Sequence, residues 1–149
     1  MRSGRTECLL VLAGSLGHGA DKLLDMAREA IEKGWVRLPG YVDQDDLPGL
    51  YSAARAFCCL SLYEGFGLPP LEALACGTPV LASRIPVFEE VLGSAAHFVD
   101  PHDEVEIASG LEATDKSDPS RVQERIERAS RYSWKRAATE MISVFHGYP

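Results

Sequence analysis

The sequence lacks the features that mark membrane-spanning, nucleic-acid-binding and metal-binding proteins. No apolar run approaches the roughly 20 residues of a membrane-spanning helix, and the apolar residues 8–13 are short for a signal-peptide core. Basic residues are in the minority, 15 against 22 acidic ones, so the basic surface that non-specific nucleic-acid binding needs is missing. The 4 cysteines and 4 histidines show no ligand-like pairing, and we interpret the cysteines as reduced thiols packed in the core of a cytoplasmic protein.

The composition is that of one ordinary soluble domain over residues 1–149. The chain is 46% hydrophobic and 25% charged, enough for a single sizeable core, and no internal repeat is visible. The expected strands are residues 9–13, 36–38, 56–60, 79–82 and 96–100, with helices between them. This alternation predicts an α/β fold, a doubly wound Rossmann-like parallel sheet with helices on both faces and a helical C-terminal segment. In that segment, Val105, Ile107 and Leu111 are expected to pack one helix on the sheet.

A glycine-rich turn between a strand and a helix dominates the sequence. Gly65 and Gly67 follow the strand at residues 56–60, and Pro69 and Pro70 suit the first turn of the helix behind them. Backbone N–H groups and the positive end of the helix dipole converge at such a turn. Both glycines can adopt positive φ and let a diphosphate approach the main chain, and Phe66 between them is expected to pack against the core. The turn therefore predicts an anion site.

Two carboxylates bracket this turn. Glu64 precedes the glycines, and Glu72 is expected in the first turn of the helix. Because a carboxylate accepts hydrogen bonds from two neighbouring hydroxyls, one glutamate is suited to the ribose of a nucleotide and the other to a second sugar. The alternative for Glu72 is that an acidic residue early in a helix only offsets the helix dipole.

The same stretch resembles a family signature. The run Glu64-Gly-Phe-Gly-Leu-Pro-Pro-Leu-Glu72-Ala-Leu-Ala-Cys-Gly77-Thr-Pro-Val80 is similar to that of the retaining nucleotide-sugar glycosyltransferases with the GT-B fold, called group 1 or family 4. The likeness continues, in the family's order, through Gly40-Tyr-Val-Asp43, Leu50-Tyr51-Ser-Ala-Ala54, Glu90-Val91 and Asp100-Pro101-His-Asp103. It covers nearly the whole chain, whereas a lone glycine turn would be weak evidence. The chain thus resembles the C-terminal, donor-binding half of such an enzyme.

The resemblance implies a reaction and a set of site residues. The reaction is transfer of a sugar from a UDP- or GDP-sugar to an acceptor hydroxyl, with retention and without a metal or other cofactor. The implied site residues are Glu64 for the transferred sugar or its reacting face, the backbone N–H groups of Gly65, Phe66, Gly67 and Leu68 for the diphosphate, Glu72 for the ribose, Gly40, Tyr41 and Val42 beside the base, and Gly14 on the nucleotide side.

The chain also departs from the family pattern. In full-length relatives an N-terminal domain holds the acceptor, which is a sugar, a lipid or another hydroxyl compound, and an opening strand and helix carry an Arg and a Lys that hold the donor diphosphate. We expect both to be absent here, and Gly4-Arg5 is not an equivalent because no lysine follows at the expected distance. We therefore expect weak donor binding and negligible transfer by the chain alone. An apolar side of residues 134–145 is expected to be uncovered unless it folds back or meets a partner chain.

Three functions stay open at this point. The first is the donor-binding half of a glycosyltransferase, the second is one subunit of a split glycosyltransferase, and the third is a non-catalytic Rossmann-like interaction module that keeps the motif for folding. Arg84 after Ser83 has two interpretations of its own, a donor contact or a solvated turn residue.

Overall fold

The computed structural model describes residues 8–17, 19–114 and 120–147, so Gly4 and Arg5 lie outside the described part. The chain divides into two compact units, Met1–Leu47 and Pro48–Pro149. Both units are built from parallel strands that alternate with helices, as the sequence predicts. A single domain over residues 1–149 stays a prediction.

The first unit is one strand–helix–strand motif. It contains β1 (Leu10–Ala13), α1 (Ala20–Glu32) and β2 (Val36–Gly40). The strands pair in parallel, with Leu10 opposite Val36, and an irregularity in register then brings Ala13 opposite Gly40. Beyond the strand ends, the amide of Gly14 donates to the carbonyl oxygen of Gly40 at 2.8 Å. The carboxyl ends of both strands therefore lie side by side.

The second unit is a three-stranded parallel sheet with helices. From residue 47 onward its elements are α2 (Leu47–Ala53), β3 (Phe57–Cys59), α3 (Leu68–Ala75), β4 (Val80–Ser83), α4 (Pro86–Leu92), a 3₁₀ turn (Gly93–Ala95), β5 (Ala96–Val99), α5 (Glu104–Ala113), α6 (Ser120–Ser130) and α7 (Trp134–His146). The strand order is β3-β4-β5, in which Val80 of β4 lies between Phe57 and Ala96. The long loop after β3 and the start of α3 thus lie at the carboxyl end of the sheet.

The core of this unit lies around β4. All four of its residues are buried, as expected for a strand covered on both faces. Helix α5 approaches closely at Gly110, where a Cβ would stand 2.8 Å from Leu81 and 2.9 Å from Val99. The expectation that Val105 and Leu111 pack on the sheet is wrong, because the contact runs through Gly110 and leaves these two side chains 79% and 45% exposed.

The described strands form parallel sheets, β1-β2 within the first unit and β3-β4-β5 within the second. One further sequence prediction, on the cysteines, is corrected. None of the four cysteines, all of which are described, is in a disulfide or fully buried, and Cys8 and Cys58 are exposed. Partial burial of the Cys58 sulfur, helped by the neighbouring Cys59, still raises the pKa of the Cys58 thiol. Among the described helices, none is both long enough and apolar enough to cross a membrane.

Candidate functional site

The turn that enters α3 is fixed by Gly67. This residue caps the helix in the left-handed region, with φ 90° and ψ 51°, a conformation that favours glycine. A Cβ there would also stand 2.6 Å from Cε1 of Phe88, a ring that is fully buried. Two prolines occupy the first turn of α3, as predicted. Gly67 is therefore required by the path of the backbone.

Gly65 has a different role in the same turn. Its φ is not positive, so the prediction of positive φ is confirmed for Gly67 and wrong for Gly65. A Cβ at Gly65 would meet no atom within 4 Å, so the main chain is open on that side. Within the described residues, the amides of residues 65–68 donate none of the backbone hydrogen bonds of turns and caps. These N–H groups lie in a turn that enters a helix, the kind of position at which proteins bind anions.

Glu64 is held at the end of β3 by a hydroxyl. Ser61 Oγ donates to Glu64 Oε1 at 2.8 Å and lies 3.6 Å from the sulfur of Cys59, the last residue of β3. The Glu64 side chain is half-buried. One of its carboxylate oxygens is therefore fixed from within the loop, which leaves Oε2 for a ligand.

Glu72 is also held by a hydroxyl. Tyr51 Oη of α2 donates to Glu72 Oε2 at 3.1 Å. Burial, followed by the charge of Glu72 and this hydrogen bond, raises the pKa of Tyr51 to about 12, so the phenol keeps its proton. Glu72 is the fifth residue of α3, and its placement in the first turn was wrong. The dipole alternative for Glu72 loses support, because that effect fades beyond the first turn.

Phe66 packs at the surface, which corrects the expectation of a core contact. Its ring is 41% exposed and lies edge-to-face on Tyr132, with 5.5 Å between ring centroids. The Arg128 guanidinium lies 5.9 Å from the centroid of the Tyr132 ring. The turn thus contacts Tyr132, just after α6, through Phe66, and it packs closely against the buried Phe88 at Gly67.

The remaining predicted residues lie in the first unit. Gly14 and Gly40 have φ of 127° and 76°, and the hydrogen bond between them brings these two residues together. Tyr41 is 70% exposed, and Val42 is half-buried. The open ring of Tyr41 gives this loop a surface suited to stacking on a flat ligand.

Arg84 has a structural contact that favours the second of its two interpretations. Its Nη2 donates to the carbonyl oxygen of Phe98 at 2.9 Å and to Glu106 Oε1 at 3.1 Å. The side chain thus ties the end of β4 to β5 and α5 on the exposed surface. None of the contacts described for Arg84 involves the glycine turn.

A cavity of about 120 Å³ opens at the opposite end of the strands. It is lined by residues at the starts of β4 and β5 and by α5 and α6, among them Val80, His97 and Arg125, and neither glutamate of the turn contributes to it. We place the candidate site at the glycine turn because two glutamates, each held by a hydroxyl, bracket it. Among the described residues, no group of three or more His, Cys, Asp and Glu could hold a metal. The expectation of a metal-free reaction stays a prediction.

Comparison with known proteins decides the family. A family model described as "Glycosyl transferases group 1" matches residues 2–132. The chain belongs to this family. One group 1 relative is the O-antigen chain mannosyltransferase B of Escherichia coli, which is 37% identical over 139 residues, covering 91% of this chain and 36% of the relative.

Solved structures show the fold of this group 1 chain. Sucrose-phosphate synthase from Thermosynechococcus elongatus superposes with a TM-score of 0.79 at 27% identity, covering 92% of this chain and 37% of that one. Anabaena HepE, solved with UDP and glucose, gives a TM-score of 0.78 at 19% identity, covering 94% and 40%. The predicted Rossmann-like α/β fold, that of the C-terminal half of a GT-B glycosyltransferase, is confirmed. The chain spans 36% of the length of the mannosyltransferase relative.

Sequence reasoning missed two residues of the candidate site, Tyr51 and Ser61. Tyr51 stands within the motif at residues 50–54 that supports the resemblance, but its contact with Glu72 spans 21 positions and has no local signal. Ser61 stands three residues before Glu64, a spacing at which a hydroxyl and a carboxylate in a loop can meet. That spacing was the available signal.

Proposed function

We propose that this chain is the donor-binding half of a retaining glycosyltransferase, which transfers a sugar from a nucleoside diphosphate sugar to an acceptor hydroxyl. One observation carries the proposal: Glu64 and Glu72, each held by a hydroxyl, flank a turn whose four amides donate none of the backbone hydrogen bonds of turns and caps in the described residues. Such a turn offers positive dipoles for an anion and carboxylates for hydroxyl groups. A nucleoside diphosphate sugar carries both kinds of group.

The proposed roles follow from the charges that develop during transfer. The leaving diphosphate becomes more negative, so the amides of residues 65–68 and the α3 dipole stabilise the transition state without a metal. The sugar becomes more positive, and Glu64 orients its hydroxyls or stabilises the reacting face. Glu72 accepts hydrogen bonds from the ribose hydroxyls. Gly40, Tyr41 and Val42 are proposed on the base side and Gly14 on the nucleotide side, with support from the family resemblance.

Mannose is the sugar that we propose first. O-antigen chain mannosyltransferase B is 37% identical over 139 residues, and O-antigen chain mannosyltransferase RfbU of Salmonella typhimurium is 52% identical over 63 residues. Their names support a mannosyl donor and a sugar hydroxyl as acceptor. We place the reaction in the cytoplasm, where nucleotide sugars are available. The base, UDP or GDP, is left to the experiment below.

A partner segment is the second element of the proposal. Helix α7 has no buried residue, and its apolar side chains include Trp134 at 81% and Phe145 at 74% exposure. An exposed apolar face of this kind marks an interaction surface. We propose that the acceptor-binding half, on the same or another polypeptide, covers this face. The isolated chain is then expected to bind donor weakly and to transfer negligibly.

An isotope-edited NMR titration tests the proposal. The chain is titrated with UDP, GDP, ADP and GDP-mannose, beside a Glu72→Ala variant and a Glu89→Ala variant as matched control, since Glu89 is an exposed acidic residue of α4. We expect saturable shifts at residues 65–72 that Glu72→Ala weakens and Glu89→Ala leaves unchanged. No saturable shifts from a well-folded chain at millimolar ligand would contradict the proposal and favour a non-catalytic module.

A further inference from the structure

Tyr51 is held by three contacts within the second unit. Its ring lies edge-to-face on Phe57, with centroids 5.4 Å apart. Its backbone carbonyl accepts a hydrogen bond of 2.7 Å from Thr78 Oγ1, a side chain that is fully buried. Its hydroxyl donates to Glu72 Oε2 at 3.1 Å, and the residue as a whole is 8% exposed. The phenol therefore reaches the surface from a rigid position.

Glu72, in contrast, is an exposed glutamate on a helix face. A free glutamate side chain populates several rotamers, and a ligand must select one of them when it binds. The hydrogen bond from Tyr51 fixes one oxygen, Oε2, and Oε1 accepts no hydrogen bond from another side chain in the described residues. The carboxylate thus presents one oxygen in a defined place.

We propose that Tyr51 is a positioning residue, which orients the Glu72 carboxylate for the ribose hydroxyls of the donor. This inference rests on the proposed function, because it assigns Tyr51 to the same site. The packing of the ring alone does not require a hydroxyl, since phenylalanine would fill the same space between Phe57 and the core. The presence of the hydroxyl is explained by its hydrogen bond to Glu72.

The protonation state of Tyr51 suits this role. Burial and the neighbouring carboxylate raise the pKa of the phenol to about 12, so it stays a donor near neutral pH. Its hydrogen bond occupies Oε2 of Glu72 and leaves Oε1 to accept from the ligand. The direction of this hydrogen bond, from Tyr51 to Glu72, therefore stays the same.

The test compares ligands that differ only in the ribose hydroxyls. The probes are UDP and GDP, each with its 2′,3′-dideoxy analogue. Each is titrated by NMR into wild type and Tyr51→Phe. Where binding is too weak to saturate, the initial slope of the shift change against ligand concentration gives a bound on the Kd. Wild type is expected to bind the ribose form about 10-fold or more tightly than the dideoxy form, because the dideoxy form loses the hydrogen bonds to a charged group. Tyr51→Phe is expected to reduce that preference about 3- to 10-fold and to leave dideoxy binding unchanged.

Two controls separate positioning from packing. Tyr132→Phe removes a hydroxyl that donates to the Glu90 carbonyl oxygen at 3.4 Å, and it is expected to leave the ribose preference unchanged. In a Glu72→Ala background, Tyr51→Phe is expected to have no further effect on the preference. Amide spectra and thermal unfolding of each variant establish that it is folded.

The outcomes are distinguishable. A reduced ribose preference in Tyr51→Phe alone supports the positioning role. An unchanged preference, or an equal loss of ribose and dideoxy binding, overturns that role while the donor site stands. A wild type that binds both forms equally overturns the assignment of ribose to Glu72, and the role of Tyr51 with it. If wild type binds no nucleotide, the proposed function is itself refuted, and this inference falls with it.

Discussion

Replacing Gly67 with alanine tests whether the glycine turn is built as the structure indicates. The residue has φ 90°, and an added Cβ would stand 2.6 Å from Cε1 and 3.0 Å from Cδ1 of Phe88. Phe88 is fully buried and cannot move aside cheaply. The substitution therefore combines backbone strain with overpacking of the core.

The expected loss of stability from Gly67→Ala is about 2 to 5 kcal/mol. The left-handed conformation costs an alanine about 1 to 2 kcal/mol, and forcing a methyl group into a packed core costs about 1 to 3 kcal/mol. The free energy of unfolding of such domains is about 5 to 15 kcal/mol, so the variant is expected to lose a large share of its stability. Urea unfolding followed by circular dichroism measures the difference.

Gly65→Ala is the matched control for this experiment. Its Cβ would meet no atom within 4 Å and its φ is not positive, so the free energy of unfolding is expected to stay within about 0.5 kcal/mol of wild type. Because the methyl group covers the open side of the turn, nucleotide binding is expected to weaken nevertheless. Equal stabilities of Gly67→Ala and Gly65→Ala would refute the geometry of the turn.

Three further changes have expected outcomes. Ser61→Ala removes the donor to Glu64, so binding of a sugar nucleotide is expected to weaken about 3- to 10-fold while binding of the free diphosphate is unchanged in the same NMR titration. Folding raises the pKa of Tyr51 from about 10 to about 12, so the stabilisation from its protonated phenol is complete below about pH 10 and is lost toward pH 12. In urea unfolding at alkaline pH, the free energy of unfolding is therefore expected to fall more steeply with pH for wild type than for Tyr51→Phe. The double variant Trp134→Ser, Phe145→Ser on exposed α7 is expected to keep wild-type stability within about 1 kcal/mol and to reduce self-association in sedimentation velocity.

The elements of the fold were largely predictable from the sequence because their signals are local. Helix α4 begins at Pro86 and ends at Leu92, and proline at its start and Gly93 after its end mark both limits in the sequence. The last helix begins after Ser133, whose side chain accepts a hydrogen bond from the Arg136 amide as an N-cap. Strand bounds differ by one or two residues.

The contacts that shape the site were not predictable, because they join residues distant in sequence. Phe66 meets Tyr132, 66 positions away, and the packing of α5 depends on Gly110, which no apolar pattern marks. The same limit explains Tyr51, whose partner Glu72 lies on another helix. Periodicity shows which side of an element is apolar, but the neighbour on that side is decided by the topology.

The affinity of the isolated chain for a diphosphate follows from the groups that the glycine turn can use. Five described arginines of the second unit donate to backbone carbonyl oxygens, namely Arg84, Arg121, Arg125, Arg128 and Arg136. Backbone dipoles and a helix end, without a cation in direct contact, are expected to bind a diphosphate with a Kd on the order of 1 mM. We expect pyrophosphate to bind in this range and to bind more weakly as salt is raised. Micromolar binding by the chain alone would contradict this account, since it would require cations to contact the diphosphate directly.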